Sequence, residues 1–90
     1  VRKDLSESQQ AVQGGHALAE FLLHGPNTEW KNGTLIYLGV KGQIQLENLM
    51  HKLERRDINF AVFHEPDIGN QPTAIATDQK CEYFEKLNLI

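Results

Sequence analysis

Between Ala11 and Leu23 the apolar residues return every three or four positions, and on a helical wheel Ala11, Val12, Gly15, Leu18, Ala19, Leu22 and Leu23 gather on one side. This pattern predicts a helix that packs those residues on a core. Ser6 followed three residues later by Gln9 has capping-box spacing, so the helix is expected to begin near Glu7 and to stop at Gly25 and Pro26. The stretch Gly25, Pro26, Asn27, Thr28, Glu29, with the later Asn32-Gly33 pair, reads as a loop. From Thr34 to Val40 the run is too short for a helix, and Leu35, Ile36, Tyr37 and Leu38 are expected to form a strand covered on both faces. Leu46, Leu49, Met50 and Leu53 then recur at helical spacing, with Arg55 and Arg56 near the C-terminal end and Asp57 to Asn59 as the exit. Phe60 to Phe63 reads as a second strand, His64 to Pro72 as a loop, and Thr73 to Ala76 as a third strand. Asp78 is expected to cap a last helix with Cys81, Phe84 and Leu87 on one side, before a tail or short strand over Asn88 to Ile90. Helices alternating with short buried strands imply an α/β fold, a small three-layer sandwich with a mixed sheet of about four strands and helices on both faces.

At 90 residues, 40% of them apolar, the chain has room for one hydrophobic core, so residues 1–90 are read as a single domain. No stretch approaches the roughly 20 apolar residues of a membrane helix, and the opening Val1, Arg2, Lys3, Asp4 has no signal-peptide core. The expectation is a soluble, unexported, cytoplasmic protein. The single Cys81 offers no internal disulfide, which fits a reducing compartment. Twelve acids against nine bases give a net charge of −3, unlike a dedicated nucleic-acid binder, so any such binding must be local.

Two constellations carry candidate chemistry. Gln9, Gln13, His16 and Glu20 fall along one polar stripe of the first helix, with His16 at the border of the apolar side and Glu20 one turn on. An imidazole so placed suits general acid–base work, although spacing alone favours a surface or helix-packing histidine with an ordinary i,i+4 contact. Gly14 and Gly15 each cost a helix about 1 kcal/mol relative to Ala, which implies a close approach by a strand or by a ligand. The second constellation is the loop His64, Glu65, Pro66, Asp67, Ile68, Gly69, Asn70, where two carboxylates follow a predicted buried strand. It reads either as a site at a strand end or as a solvated turn in which Asp67 caps its own backbone. The four His and Cys81 lack metal-ligand spacing, and no phosphate-binding or nucleotide motif is present, so neither metal nor cofactor is expected.

The opening Val1, Arg2, Lys3, Asp4, Leu5, followed by Ala11, Val12, Gln13, Gly14, Gly15, His16, Ala17, resembles the start of the type 2 peptidyl-tRNA hydrolases. The family has a strand ending V-R-x-D-L and a helix carrying A-A-Q-x-x-H-A. The order of elements is similar over nearly the whole chain, and the closing Lys86, Leu87, Asn88, Leu89, Ile90 is similar to the family's K-L-x-L. The resemblance implies hydrolysis of the ester joining a peptide to tRNA, with Gln13 and His16 matching the motif residues and Glu65 standing where the family has an aspartate. It departs before the helix, where Glu7, Ser8, Gln9 and Gln10 replace a Gly-Lys-Gly-Lys, and in the later loop, where no Gly-Arg-Thr matches Asp67, Ile68, Gly69. A missing lysine removes a phosphate contact and a group that stabilises charge on the ester oxygen.

Three readings follow. In the first, the chain is an ester hydrolase acting on peptidyl-tRNA: Glu65 or Asp67 orients water, His16 assists proton transfer, Lys3, Lys31 or Lys41 meets phosphate, and Gln13, Glu20 and Asn70 line the substrate site. In the second, the fold is catalytically inactive and binds a small ligand, RNA or a protein partner through the same stripe and loop. In the third, an uncovered helix face or sheet edge holds a homodimer.

Overall fold

In a computed structural model, which describes residues 1–25, 28 and 30–90, the chain forms three helices and two small antiparallel sheets. In order these are α1 (Glu7–His24), β1 (Leu38–Gly39), α2 (Gln43–Arg55), β2 (Ala61–Glu65), a 3-10 turn (Pro66–Ile68), β3 (Gln71–Ala76), α3 (Glu82–Glu85) and β4 (Asn88–Leu89). The expected turn at Pro26, Asn27 and Glu29 lies outside the described residues.

α1 starts where the capping spacing places it: the Ser6 hydroxyl accepts from the Gln9 amide at 3.3 Å, satisfying one otherwise orphaned donor. Its buried face is the opposite of the one the apolar pattern predicts. Gln10, Gln13, Gly14, Ala17 and Phe21 are buried, whereas Val12, Leu22 and Leu23 are 54%, 46% and 74% exposed. The buried set recurs at helical spacing, about half a turn from the apolar set. Two physical features reverse the choice. Ala17 is fully buried on a helix that packs against β2 and β3, and both buried amides find partners. Gln10 Nε2 donates to the Leu5 carbonyl at 2.8 Å, while Gln13 bonds to the hairpin described below. Gly14 is required by Tyr37: a Cβ there would stand 2.5 Å from the Tyr37 ring. Gly15 has nothing within 4 Å of such an atom, so the Tyr37 side chain, just outside β1, explains the first glycine of the pair, and the second faces open space.

The expected strand over Leu35 to Leu38 shortens to Leu38–Gly39, and Leu35 and Ile36 are exposed rather than covered. The helix meets this segment through Tyr37 at Gly14, so the neighbouring side chains gain no cover from it. α2 keeps its predicted face, with Leu46 and Leu53 fully buried and Leu49 and Met50 half-buried, and it packs on β3. Asp57, at φ 55, turns the chain out of it. Asp78 does not cap the last helix; its carboxylate accepts from the Thr28 hydroxyl, and Cys81 stands at the α3 N-cap without a side-chain bond.

β2 and β3 form an antiparallel hairpin, and β1 pairs with β4. Val1 to Lys3 lie between the two pairs. The Val40 amide donates to the Val1 carbonyl at 2.9 Å, the Lys3 amide to the Val40 carbonyl at 2.7 Å, and the Arg2 amide to the Thr73 carbonyl at 3.1 Å. Arg2 is buried, and its guanidinium forks onto Asp4 (2.7 and 3.0 Å) while also donating to Gln71 Oε1 at 2.9 Å. A bidentate pair of this kind fixes geometry as well as charge. The hydrogen bond from Arg2 holds the Asp4 carboxyl below the usual carboxylate range, and the same bond raises the guanidinium further.

Candidate functional site

The site grows from a one-residue irregularity in the hairpin. Phe63 faces Ala74 and His64 faces Pro72, so Thr73 has no partner across the ladder. Such a bulge re-aims the extra side chain. Thr73 is fully buried, and its hydroxyl lies 2.6 Å from Gln13 Oε1 and 3.3 Å from the Phe63 carbonyl. A hydroxyl has a single proton, and the shorter distance assigns it to Gln13. The other end of the same amide, Nε2, donates to Glu65 Oε1 at 3.4 Å. An ionised carboxylate only accepts, which fixes the amide orientation: nitrogen toward Glu65, oxygen toward Thr73.

His16 stands one helical turn after Gln13, and Phe63 stands two residues before Glu65 on the same side of β2. The two aromatic rings stack with centroids 4.4 Å apart and planes 12° apart. His16 is exposed and makes no hydrogen bond to the described residues, so its ring is held by stacking while both nitrogens are open to water or a ligand. α1 and β2 therefore present an imidazole, an amide and a carboxylate along one seam. An imidazole and a carboxylate are both side-chain types that serve general acid–base chemistry.

The sequence places Glu65 in a loop; it is the last residue of β2, and the connection proper is Pro66 to Asn70. Pro66 opens the 3-10 turn, Gly69 and Asn70 have φ 71 and φ 59, and the Asn70 amide returns to the Glu65 carbonyl at 2.9 Å. Asp67 is exposed on this turn and makes no hydrogen bond or ion pair among the described residues, so the backbone cap weighed for it is not formed. Asn70 is likewise exposed, and Glu20 is half-buried one turn beyond His16. Lys3 and Lys41 are exposed, with the Lys3 methylenes lying over Gly39. Gln13 thus meets Glu65, His16 meets Phe63 two residues earlier on β2, and Asp67 and Asn70 stay at the hairpin tip.

Sequence reasoning missed Thr73 and Phe63. Their signal is the period-two alternation that puts Phe63 and Glu65 on one face, but the bulge at Thr73 is invisible to alternation. Among the described residues no three His, Cys, Asp or Glu side chains gather as a metal site, and no helix is long and apolar enough to cross a membrane. Compared with protein-family models, curated proteins and solved structures, the chain has no match.

Proposed function

We propose that the protein is an ester hydrolase of the type 2 peptidyl-tRNA hydrolase kind, releasing peptide from tRNA. The observation that carries this reading is the hydrogen-bonded line Thr73–Gln13–Glu65 beside an imidazole stacked on Phe63. It supports a division of labour in which Glu65, held by the Gln13 amide, accepts a proton from water as the water oxygen adds to the ester carbonyl carbon. The bond from that carbon to the ribose oxygen then breaks, and protonated His16 delivers a proton to the departing oxygen. Proton return from Glu65 to His16 restores the site. Gln13 is a positioning residue, with Glu20, Asp67 and Asn70 at the margins of the substrate site and Lys3 and Lys41 meeting phosphate.

The fold belongs to the same proposal. Residues 1–3, bonded to β3 on one side and to β1 on the other, support reading the two antiparallel pairs as one mixed sheet between helices, a three-layer sandwich. Turnover of peptidyl-tRNA is the test. The wild type is expected to release peptide above the buffer rate, with His16→Ala lowering that rate about 100-fold, the lower range for a proton-transfer group. No release by the wild type would end the proposal. The exposed Val12, Leu22 and Leu23 favour a second reading, a homodimer through α1, which a monomeric mass in solution would exclude.

A further inference from the structure

Along a paired strand the backbone groups of successive residues face the partner and face away by turns. In β2 the Phe63 carbonyl lies 3.3 Å from the Thr73 hydroxyl and the Glu65 carbonyl accepts from the Asn70 amide, so these two residues face β3. The N–H and C=O groups of Val62 and His64 therefore point outward, along an edge that pairs with no other strand among the described residues. Five residues give that edge roughly 17 Å. The usual guards of a free edge are missing from it. Ala61 to Glu65 includes no Pro and no Lys, and the extra residue of the hairpin, Thr73, lies on β3 and leaves β2 without a bulge. Its one carboxylate is Glu65, at the last position. Neither Glu65 nor the exposed Asp67 just beyond it has an ion pair among the described residues.

We propose that β2 takes up an extended segment of a protein partner as an added antiparallel strand, with a Lys or Arg of that segment against Glu65 and Asp67. Val62 and His64 each exchange backbone hydrogen bonds with it, which is the source of affinity in strand addition. Phe63 and Glu65 occupy the positions between those bonds, where facing side chains approach most closely, and both lie on the α1 side of the strand. The partner residue opposite Phe63 is accordingly apolar, and the one opposite Glu65, two places earlier in the partner, is basic. The two carboxylates also reject, because an acidic segment meets both of them unneutralised. A second copy of this chain fits the edge poorly for the same reason. α1 runs antiparallel to β2, from Gln13 at Glu65 to His16 at Phe63, which sets Glu20 roughly level with Ala61. Two copies paired about Phe63 put Glu65 opposite the other copy's Ala61, with that copy's Glu20 on the same side. Pairing about Val62 puts it opposite Asn59 instead, and neither register sets a Lys or Arg against it.

The test is an amide NMR titration with the peptide Ser-Arg-Thr-Ile-Val-Thr-Ser, capped at both ends and so neither substrate nor product of an ester hydrolase. The Val62 and His64 amides are expected to shift and to exchange more slowly with water. The same peptide N-methylated at the first Thr and the Val, which face His64 and Val62, is expected to bind more than about tenfold more weakly, with the protein untouched. Glu in place of Arg weakens binding about fivefold, and Glu65→Gln/Asp67→Asn abolishes that preference. His64→Pro, which removes an outward N–H, weakens binding about fivefold and keeps the far-UV spectrum. The proposal is overturned if the Val62 and His64 amides do not respond, if N-methylation costs nothing, or if the Arg and Glu peptides bind alike. A dimer in which those amides are already protected without peptide overturns it as well. Edge binding without release from peptidyl-tRNA defeats the hydrolase reading alone, and release with unresponsive edge amides defeats the added strand alone.

Discussion

Replacing Thr73 by Val tests whether the bulged hydroxyl organises the seam. The substitution keeps the shape of a fully buried side chain and removes one O–H, so no cavity opens. What it leaves is the buried Gln13 Oε1 without the donor that now sits 2.6 Å away. A buried acceptor stripped of its partner costs about 1–3 kcal/mol, and the loss of the 3.3 Å contact to the Phe63 carbonyl adds little because the hydroxyl's one proton goes to Gln13. About 2 kcal/mol is expected, which for a chain of this size lowers Tm by roughly 8–16 °C. Urea unfolding followed by far-UV circular dichroism and by the fluorescence of Trp30 measures it, and the two probes should coincide for a two-state domain. Adding Gln13→Leu to Thr73→Val removes both ends of the bond, and the double variant is expected to be about 1–2 kcal/mol more stable than the sum of the singles. Strict additivity, or a Thr73→Val variant as stable as wild type, would refute the view that the amide is held by Thr73.

Other expectations are independent of that bond. Gly14→Ala and Gly15→Ala should move stability in opposite directions: the first forces the Tyr37 ring to shift and destabilises, while the second meets open space and stabilises by about 0.5–1 kcal/mol, both read as Tm. Phe21→Ala should cost about 3–5 kcal/mol, whereas Leu23→Glu should change unfolding free energy by less than about 0.5 kcal/mol, a comparison that decides which face of α1 is buried. Asp4 has a lowered carboxyl pKa, so its contribution to stability is present above its unfolded value of about 3.9 and is lost as pH falls through the folded value. Arg2→Met should flatten that acid limb in melting curves taken below about pH 4.

The elements themselves are legible in the chain because capping, turn chemistry and helical spacing act locally. Ser6 begins α1, Leu46 and Leu53 fix the inner face of α2, and Asn32-Gly33 places a residue of φ 73 where a turn is expected. Orientation is another matter. The wheel of α1 ranks Val12, Leu22 and Leu23 above Gln10 and Gln13, since a hydropathy pattern counts a glutamine as polar whether or not a partner waits for it. Here the partners are non-local, 60 residues away for Thr73 and 52 for Glu65, and no periodicity encodes them. Half of the seam follows the same logic: His16 and Gln13 share a stripe by spacing alone, whereas Thr73 enters through a bulge that shifts strand register. Glu65 reads as a loop residue because Pro66 follows it, although an edge strand tolerates a polar end.

Kinetic coupling between His16 and Glu65 interrogates the proposed chemistry most directly. Single-turnover release from peptidyl-tRNA is compared for wild type, His16→Ala, Glu65→Gln and the double variant. If the two groups serve one reacting centre, each single change lowers the rate about 100-fold and the double change falls little further, as for residues acting as a unit. Release that is undiminished by either single substitution, or absent from the wild type, would show that the seam between α1 and β2 is not where an ester is cleaved.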